Sequence, residues 1–298
     1  MKSFEGMKLL KVLFVAVCIC CGFDLQAGGP WTQKKGEGYF QAGFTTKRWD
    51  GSYQGTYADA QLFPVPRDVR ESNWMLYGEY GITNRLSFIG DISYRNMQNA
   101  DEINDVVGIT FPTTLEAGSL NAFSNPTLSL KYGLNTSKMV SAVFIRFNPN
   151  ISVRDAALGL QSDYDAATLG AGVAIGKGWQ RSYLQTELAL LARANEYGES
   201  INGNFQYGYA IRPKTYLIFD LNYQITLENG TYNDGVYALT ATFIDNQGYV
   251  AYGAKVHSSL FGNFSGNIAA YSGFGIINQG NQPAGIFAGI AYELKKGE

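Results

Sequence analysis

The sequence predicts an all-β protein: a single antiparallel up-and-down transmembrane β-barrel of about 12 strands, with short periplasmic turns and long extracellular loops. Three observations point there. The chain opens with a secretory leader, its composition is rich in aromatics and glycine without any long apolar run, and it carries segments of about ten residues with alternating polarity.

In the leader, Lys2, Lys8 and Lys11 precede the apolar run Val12 to Phe23, which is followed by Leu25-Gln26-Ala27 and Gly-Gly-Pro. A basic segment, a short apolar core and a small-residue cleavage site predict a signal peptide over 1–27, cut after Ala27, with the barrel occupying 28–298. The apolar core is too short for a spanning helix. All three cysteines, Cys18, Cys20 and Cys21, fall inside it. No small residue precedes any of them, so no lipid anchor is expected, and the mature chain has no disulfide or thiolate metal site.

Removing the leader leaves 20 basic and 23 acidic residues, from 23 and 25. That small acidic excess argues against nucleic acid as a partner. The 298 residues include 35 Gly, 20 Tyr and 18 Phe against 8 Pro, as a barrel wall demands.

The clearest structural signal is Trp74 to Tyr94. Trp74, Leu76, Gly78, Tyr80 and Ile82 share one face, and Leu86, Phe88, Gly90, Ile92 and Tyr94 answer them. The other face carries Tyr77, Glu79, Asp91 and Arg95. Facing and short-loop geometry favour a hairpin with Ile82 opposite Leu86, which pairs Trp74 with Tyr94, Tyr80 with Phe88 and Tyr77 with Asp91. Aromatics then sit near both ends of an apolar band.

Further alternating segments include Phe40 to Phe44, Leu128 to Tyr132, Val143 to Phe147, Leu169 to Ile175 and Leu184 to Leu190. Phe205 to Ile211, Leu217 to Tyr223, Val250 to Val256, Phe264 to Ala270 and Ile286 to Leu294 complete the set. With the hairpin they make twelve. A thirteenth, Val236 to Ile244, would break the even count of single-chain barrels, so Glu228 to Gly248 is expected to be an external loop. Connections alternate between short ones, such as Ile82–Arg85 and Pro213–Lys214, and mostly longer ones around 50–72, 96–124, 148–164, 194–202, 227–248 and 274–283. A Tyr-Gly echo recurs at the short turns, at Tyr80-Gly81, Tyr132-Gly133 and Tyr207-Gly208. An interfacial tyrosine and a glycine that eases curvature account for it without a ligand.

Tyr77 to Leu86, the stretch Gly159-Leu160-Gln161-Ser162-Asp163-Tyr164-Asp165 before Leu169-Gly170-Ala171-Gly172, and Asn246-Gln247-Gly248-Tyr249 carry a resemblance. The chain resembles the outer-membrane β-barrel family of meta-pathway phenol-degradation, transporter-like proteins, loosely akin to long-chain fatty-acid transporters. The resemblance implies a small barrel moving hydrophobic or aromatic compounds, with no catalytic residues. The C-terminus departs from the aromatic ending of many outer-membrane proteins, since Tyr292 and Leu294 are followed by Lys-Lys-Gly-Glu.

The expected lumen-facing residues are Tyr77, Glu79, Arg85, Asp91, Arg95, Lys131, Arg146, Glu187, Arg193, Arg212, Asp220 and Lys255. Two arrangements remain open: a self-paired, largely plugged interior, because unpaired charges in a partly dehydrated lumen are costly, or a polar solute path. The expected function is a narrow or gated passage for small, hydrophobic or aromatic solutes across the bacterial outer membrane, with a non-transporting structural or adhesive barrel as the alternative. Lipid and lipopolysaccharide are the expected surroundings. Acidic residues of the loops, including Asp59, Asp68, Asp101, Glu102, Asp105, Glu116, Glu196, Glu199, Glu228 and Asp234, are expected mainly to solvate them; a role in holding divalent cations is the lesser alternative. The single histidine, His257, lies two residues from Ser259, but at the periplasmic end and without a third orienting group, so no enzyme, cofactor or metal is expected.

Overall fold

The computed structural model describes residues 29–56, 62–99, 115–136, 138–228, 230–240, 243–277 and 282–296. The expected leader and the acidic residues Asp59, Asp101, Glu102 and Asp105 lie outside them. The wall begins with β1 (Gly38–Thr56), β2 (Leu62–Gly81) and β3 (Leu86–Asn99). Next come β4 (Gly118–Phe123), β5 (Thr127–Asn135), β6 (Val140–Asn148) and two short strands, β7 (Arg154–Asp155) and β8 (Leu160–Gln161). The chain continues through β9 (Thr168–Gly178), β10 (Ser182–Arg193), β11 (Ser200–Arg212), β12 (Thr215–Thr226), β13 (Gly248–Ser259), β14 (Phe264–Ile277) and β15 (Gln282–Leu294).

Neighbours along the wall pair antiparallel, and β1 pairs with β15 from Gly38 opposite Leu294, closing a twelve-stranded barrel. β4 and β5 together form one wall position, both laddered to β3. They are separated at Ser124-Asn125-Pro126, where proline cannot donate to the ladder. β7 and β8 form a separate hairpin in the connection between β6 and β9. Among the described residues no helix is long and apolar enough to cross a membrane, so the strands alone make the wall.

The burial of the strands is inverted relative to a soluble sheet. In β5, Leu128, Leu130 and Tyr132 are 40–44% exposed, while Ser129 and Lys131 are 5% and 2% exposed. Trp74, Leu76, Leu169, Leu190, Ile268 and Ile286 are likewise exposed. Such an apolar exterior suits hydrocarbon. Trp74 packs on Phe44 with ring centroids 4.8 Å apart, and Tyr94 on Phe123 at 5.1 Å. Because Phe44, Trp74, Tyr94 and Phe123 pair across β1 to β4, they form one row of the upper aromatic girdle. Tyr80 lies six residues below Trp74 on β2, about 20 Å at 3.3–3.4 Å per residue, as a lipid band requires.

The hairpin adopts the expected register: Trp74 opposite Tyr94, Tyr77 opposite Asp91 and Tyr80 opposite Phe88. Its turn is closed by the Ile82 N–H donating to the Leu86 carbonyl (2.8 Å), and the Thr83 hydroxyl accepts from the N–H groups of Arg85 and Leu86. Residues 235–239 form a short 3-10 helix, and the wall has no strand at 236–244 among the described residues. Two of the expected long connections, 50–72 and 274–283, turn out to be mostly strand, and a third is shortened. β1 and β2 pair out to Thr56 opposite Leu62, β10 and β11 leave only 194–199 between them, and β14 and β15 extend to Ile277 and from Gln282. A ladder needs only backbone groups, so it continues past the point where the sequence loses its apolar alternation.

Inside the wall, large aromatics lie over glycines of the next strand. Tyr183 and Tyr271 stand directly opposite Gly208 and Gly285, and a Cβ at Gly208 would lie 2.0 Å from the Tyr183 ring. The high glycine count therefore admits bulky rings into a narrow lumen. Placing a charge on the lipid face tests the orientation of the wall. Ile145→Arg, at an outward position near the middle of β6, is expected to destabilise the barrel by about 2–4 kcal/mol in urea unfolding from lipid vesicles, whereas an unchanged midpoint would place that face away from hydrocarbon.

Candidate functional site

The lumen is filled from both ends around a charged waist. At the end of the short turns, residues 29–37 run inside the barrel before β1 begins. The Gln33 N–H donates to the Ser87 hydroxyl (2.9 Å), the Lys35 N–H to Asn84 Oδ1 (3.1 Å) and the Gly36 N–H to the Gly81 carbonyl (2.9 Å). Trp31 meets Tyr183 edge-on at 6.0 Å, beside Tyr216 and Ile218, which is fully buried. Three inward glycines make room for this strap. A Cβ at Gly81 would lie 2.1 Å from the Lys34 carbonyl, one at Gly176 2.7 Å from Pro30 and Trp31, and one at Gly133 3.3 Å from the Thr32 hydroxyl. The Tyr-Gly echo thus has a second cause beyond curvature: Gly81 and Gly133 are contact points for the strap.

Above the strap lies a buried ion pair. Lys131, 2% exposed, holds Glu79, fully buried, at 2.9 Å and also donates to the Gly29 carbonyl at 3.0 Å. Tyr77 donates to Glu79 Oε2 at 3.3 Å. These contacts tie β2, β5 and the strap together in a region of low dielectric. On the opposite wall, Asp220 accepts from Gln206 Nε2 and lies 3.9 Å from Lys255. His257 Nδ1 is 2.9 Å from Asn267 Oδ1, which takes its ring into a wall contact.

The upper half is closed by the connections 149–167 and 230–247. Asn125, freed from the ladder by the break before Pro126, donates its side-chain amide to the Tyr164 carbonyl (2.8 Å) and accepts the Ile151 N–H (2.8 Å). Gln161 donates to the Phe243 carbonyl (3.0 Å), and the Thr240 hydroxyl donates to the Gly159 carbonyl, so the two connections hold each other. Gly159 adopts a positive φ of 64°, and a Cβ there would press on Leu115 and Thr240. Tyr197 and Tyr232 stack at 3.9 Å, and Arg154 pairs with Asp165 at 2.8 Å. Burial pushes the Asp234 carboxyl up to about 7, although it accepts the Asp245 N–H, and the nearby Asp245 carboxylate adds to the rise.

At the upper ends of β5, β6, β9 and β10, against the connection 149–167, lies a cavity of ≈ 170 Å³ whose wall includes Arg146, Arg193, Asp163, Tyr164, Asn125 and Leu191. Arg193 donates to the Ser200 hydroxyl (2.9 Å) and to Gln224 Oε1 (3.3 Å), with its plane 4.2 Å from the Tyr164 ring centroid. Asp163 is occupied by the backbone N–H groups of Asn125 (3.0 Å) and Tyr164 (2.8 Å). Burial raises its carboxyl above the usual carboxylate range, against the pull of Arg95, those two donors and Arg193.

Of the sequence-selected residues, Tyr77, Glu79 and Lys131 meet in the lower cluster. Arg95 pairs with Glu71 at 3.1 Å, an acid the sequence had not singled out, and Lys47 joins the same carboxylate at 3.0 Å. Asp91 and Glu187 are half-buried on inward positions, opposite Tyr77 and Asn204. Two expectations need correction. Arg85 is exposed in the hairpin turn, where its backbone carbonyl accepts the Gly133 N–H, and its side chain joins no lumen cluster. Arg212 is also exposed, because a register shift between Ala210 and Arg212 interrupts the alternation just before the turn. The strap, Asn125 and Asp163 were not singled out as lumen groups. Pro126 inside a strand pattern was the one local signal of the Asn125 insertion.

Fold and interior together define a transmembrane β-barrel of the outer-membrane type with a charged, partly filled lumen. No family model and no curated relative matches the chain. Among solved structures it is similar to an outer-membrane channel from Pseudomonas putida F1, with 12% identity and a TM-score of 0.66 over 91% of this chain and 100% of that one. The CymD monoaromatic hydrocarbon channel aligns at 7% identity and a TM-score of 0.46, covering 89% of this chain and 90% of that chain. The P. putida toluene transporter TodX aligns at 10% and 0.42, covering 89% and 91%.

The buried pair offers a direct test of how the lumen is held. Lys131→Met should cost about 3–5 kcal/mol, because it leaves Glu79 uncompensated. Adding Glu79→Gln should recover most of that loss in the same urea titration. A single variant as stable as the parent would show that the pair is not buried in the folded barrel.

Proposed function

We propose that the chain forms a narrow, gated passage for small solutes across the bacterial outer membrane. The observation that carries this is a closed barrel whose bore holds the strap at one end and folded-in connections at the other, with a cavity lined by Arg146 and Arg193 beside the connection 149–167. A wall of twelve strands has room for more than its own side chains but less than the open bore of wide porins. The strap fills the lower bore through polar and aromatic contacts with the wall, so its displacement is the simplest route to opening. Structural similarity to an outer-membrane channel accords with this function.

The seated Gly29 also supports cleavage of the leader after Ala27. An uncleaved chain would have to carry a 27-residue apolar-cored segment into a lumen already occupied at Gly29 by Lys131 and Gln185. Intact-mass measurement of the protein purified from outer membranes should give a chain starting at Gly28, and a mass that retains the leader would reject the cleavage site.

Transport itself is tested in planar bilayers and in solute-loaded liposomes. The full-length mature protein should conduct weakly, and deletion of residues 29–34 should raise its conductance several-fold. Equal conductance with and without the strap would show that it does not limit the path. Absence of both conductance and uptake from the two forms would favour a structural or adhesive barrel acting through its loops.

A further inference from the structure

We propose that the cavity beside the connection 149–167 is a binding site for a small organic monocarboxylate with an apolar body no larger than about one ring, recognised by Arg146 and Arg193. The proposal deepens the transport function above and rests on it for its physiological meaning, although binding can be measured without transport.

The argument starts from charge. The other cations of the interior are matched by carboxylates: Lys131 by Glu79, Arg95 and Lys47 by Glu71, and Lys255 by Asp220 at longer range. Arg146 is not. Among the described residues it makes no ion pair and no hydrogen bond, its Nε is buried without a partner, and its guanidinium rests 5.4 Å from the Phe144 ring centroid. Asp91 lies within electrostatic range of Arg95 and Arg146 but ion-pairs with neither. Arg193 is bonded only to the neutral Ser200 and Gln224, and its Nε is likewise unpartnered. Leaving buried guanidinium donors unpaired is costly, so an anion entering the cavity supplies what the wall lacks.

The wall also specifies the anion. A guanidinium fork matches a carboxylate through two parallel N–H···O bonds. Asp163 is the one carboxylate among the lining residues, so the two arginines leave a net single positive charge. That balance favours a monoanion and disfavours a dianionic phosphate, which would meet Asp163 as a like charge. Leu191 and Tyr164 supply an apolar and aromatic surface, while Asn125 and Asn148 add amides. The cavity of ≈ 170 Å³ is on the scale of one that takes up benzene, about 150 Å³. A carboxylate on a single ring or a short chain therefore fits both the charge and the space.

The experiment is a calorimetric titration of the full-length mature protein in detergent with benzoate, its neutral counterpart benzyl alcohol, and inorganic phosphate. Benzoate should bind and benzyl alcohol should not. Arg146→Gln should weaken benzoate by roughly 10- to 100-fold, the loss expected for one charge-assisted hydrogen-bonded contact. Arg146→Lys should fall between them, and Lys177→Gln, at the exposed end of β9, should bind as the parent does. Heat-modifiable migration on a gel confirms that each variant is folded. Equal binding of benzoate to the parent and to folded Arg146→Gln would overturn the proposal, as would phosphate binding more tightly than benzoate. Arg146-dependent benzoate binding by a protein that shows no conductance would leave the site standing and reject the transport function. Conductance without benzoate binding would do the reverse.

Discussion

Hydrocarbon offers no hydrogen bonds, and a backbone N–H or C=O left open in it costs several kcal/mol. Everything else in this barrel follows from meeting that condition by pairing β1 with β15. Closure leaves no open edge, and it also gives the two faces of every strand opposite solvents. Alternate residues that would form a soluble protein's core, such as Leu130, Ile145 and Phe205, are turned to lipid, and Ser129, Lys131 and Gln206 are turned inward. The inward set then has to satisfy itself within a bore too narrow to hydrate every charge.

That second requirement explains the arrangement of the lumen. Where a cation and an acid come within reach they pair, as Lys131 of β5 and Glu79 of β2 do across the intervening β3, with the strap's Gly29 carbonyl as a further acceptor for Lys131. Where the wall leaves space, backbone from elsewhere fills it. Residues 29–37 enter at the short turns over Gly81, Gly133 and Gly176, and the connections 149–167 and 230–247 fold in at the other end. Beside the connection 149–167 a cavity remains, and it retains two arginines that make no ion pair among the described residues.

Much of the wall was legible because a strand writes its two faces into the sequence with period two. The mirror about Asn84 was sufficient to assign the hairpin's turn and register, down to Tyr77 opposite Asp91. Parity fails at strand ends. Arg85 and Arg212 have the right parity for the lumen, yet a turn and a bulge carry them out to solvent. The segment 50–72 read as a loop because the apolar alternation of the sequence stops there, although the backbones of β1 and β2 stay paired as far as Thr56 opposite Leu62.

By itself, then, the sequence determined that the chain is a barrel, which segments cross the membrane and which face of each meets lipid. These properties depend on neighbours one and two residues apart. Only the tertiary structure decided that Glu71 answers both Arg95 and Lys47, that Asn125 leaves its strand to hold a distant connection, and that the chain before β1 occupies the bore. It also decided that Arg146 and Arg193, 47 positions apart, share one cavity. Such meetings are set by barrel closure and by the height of each residue in the wall, quantities that leave no periodic trace along the chain.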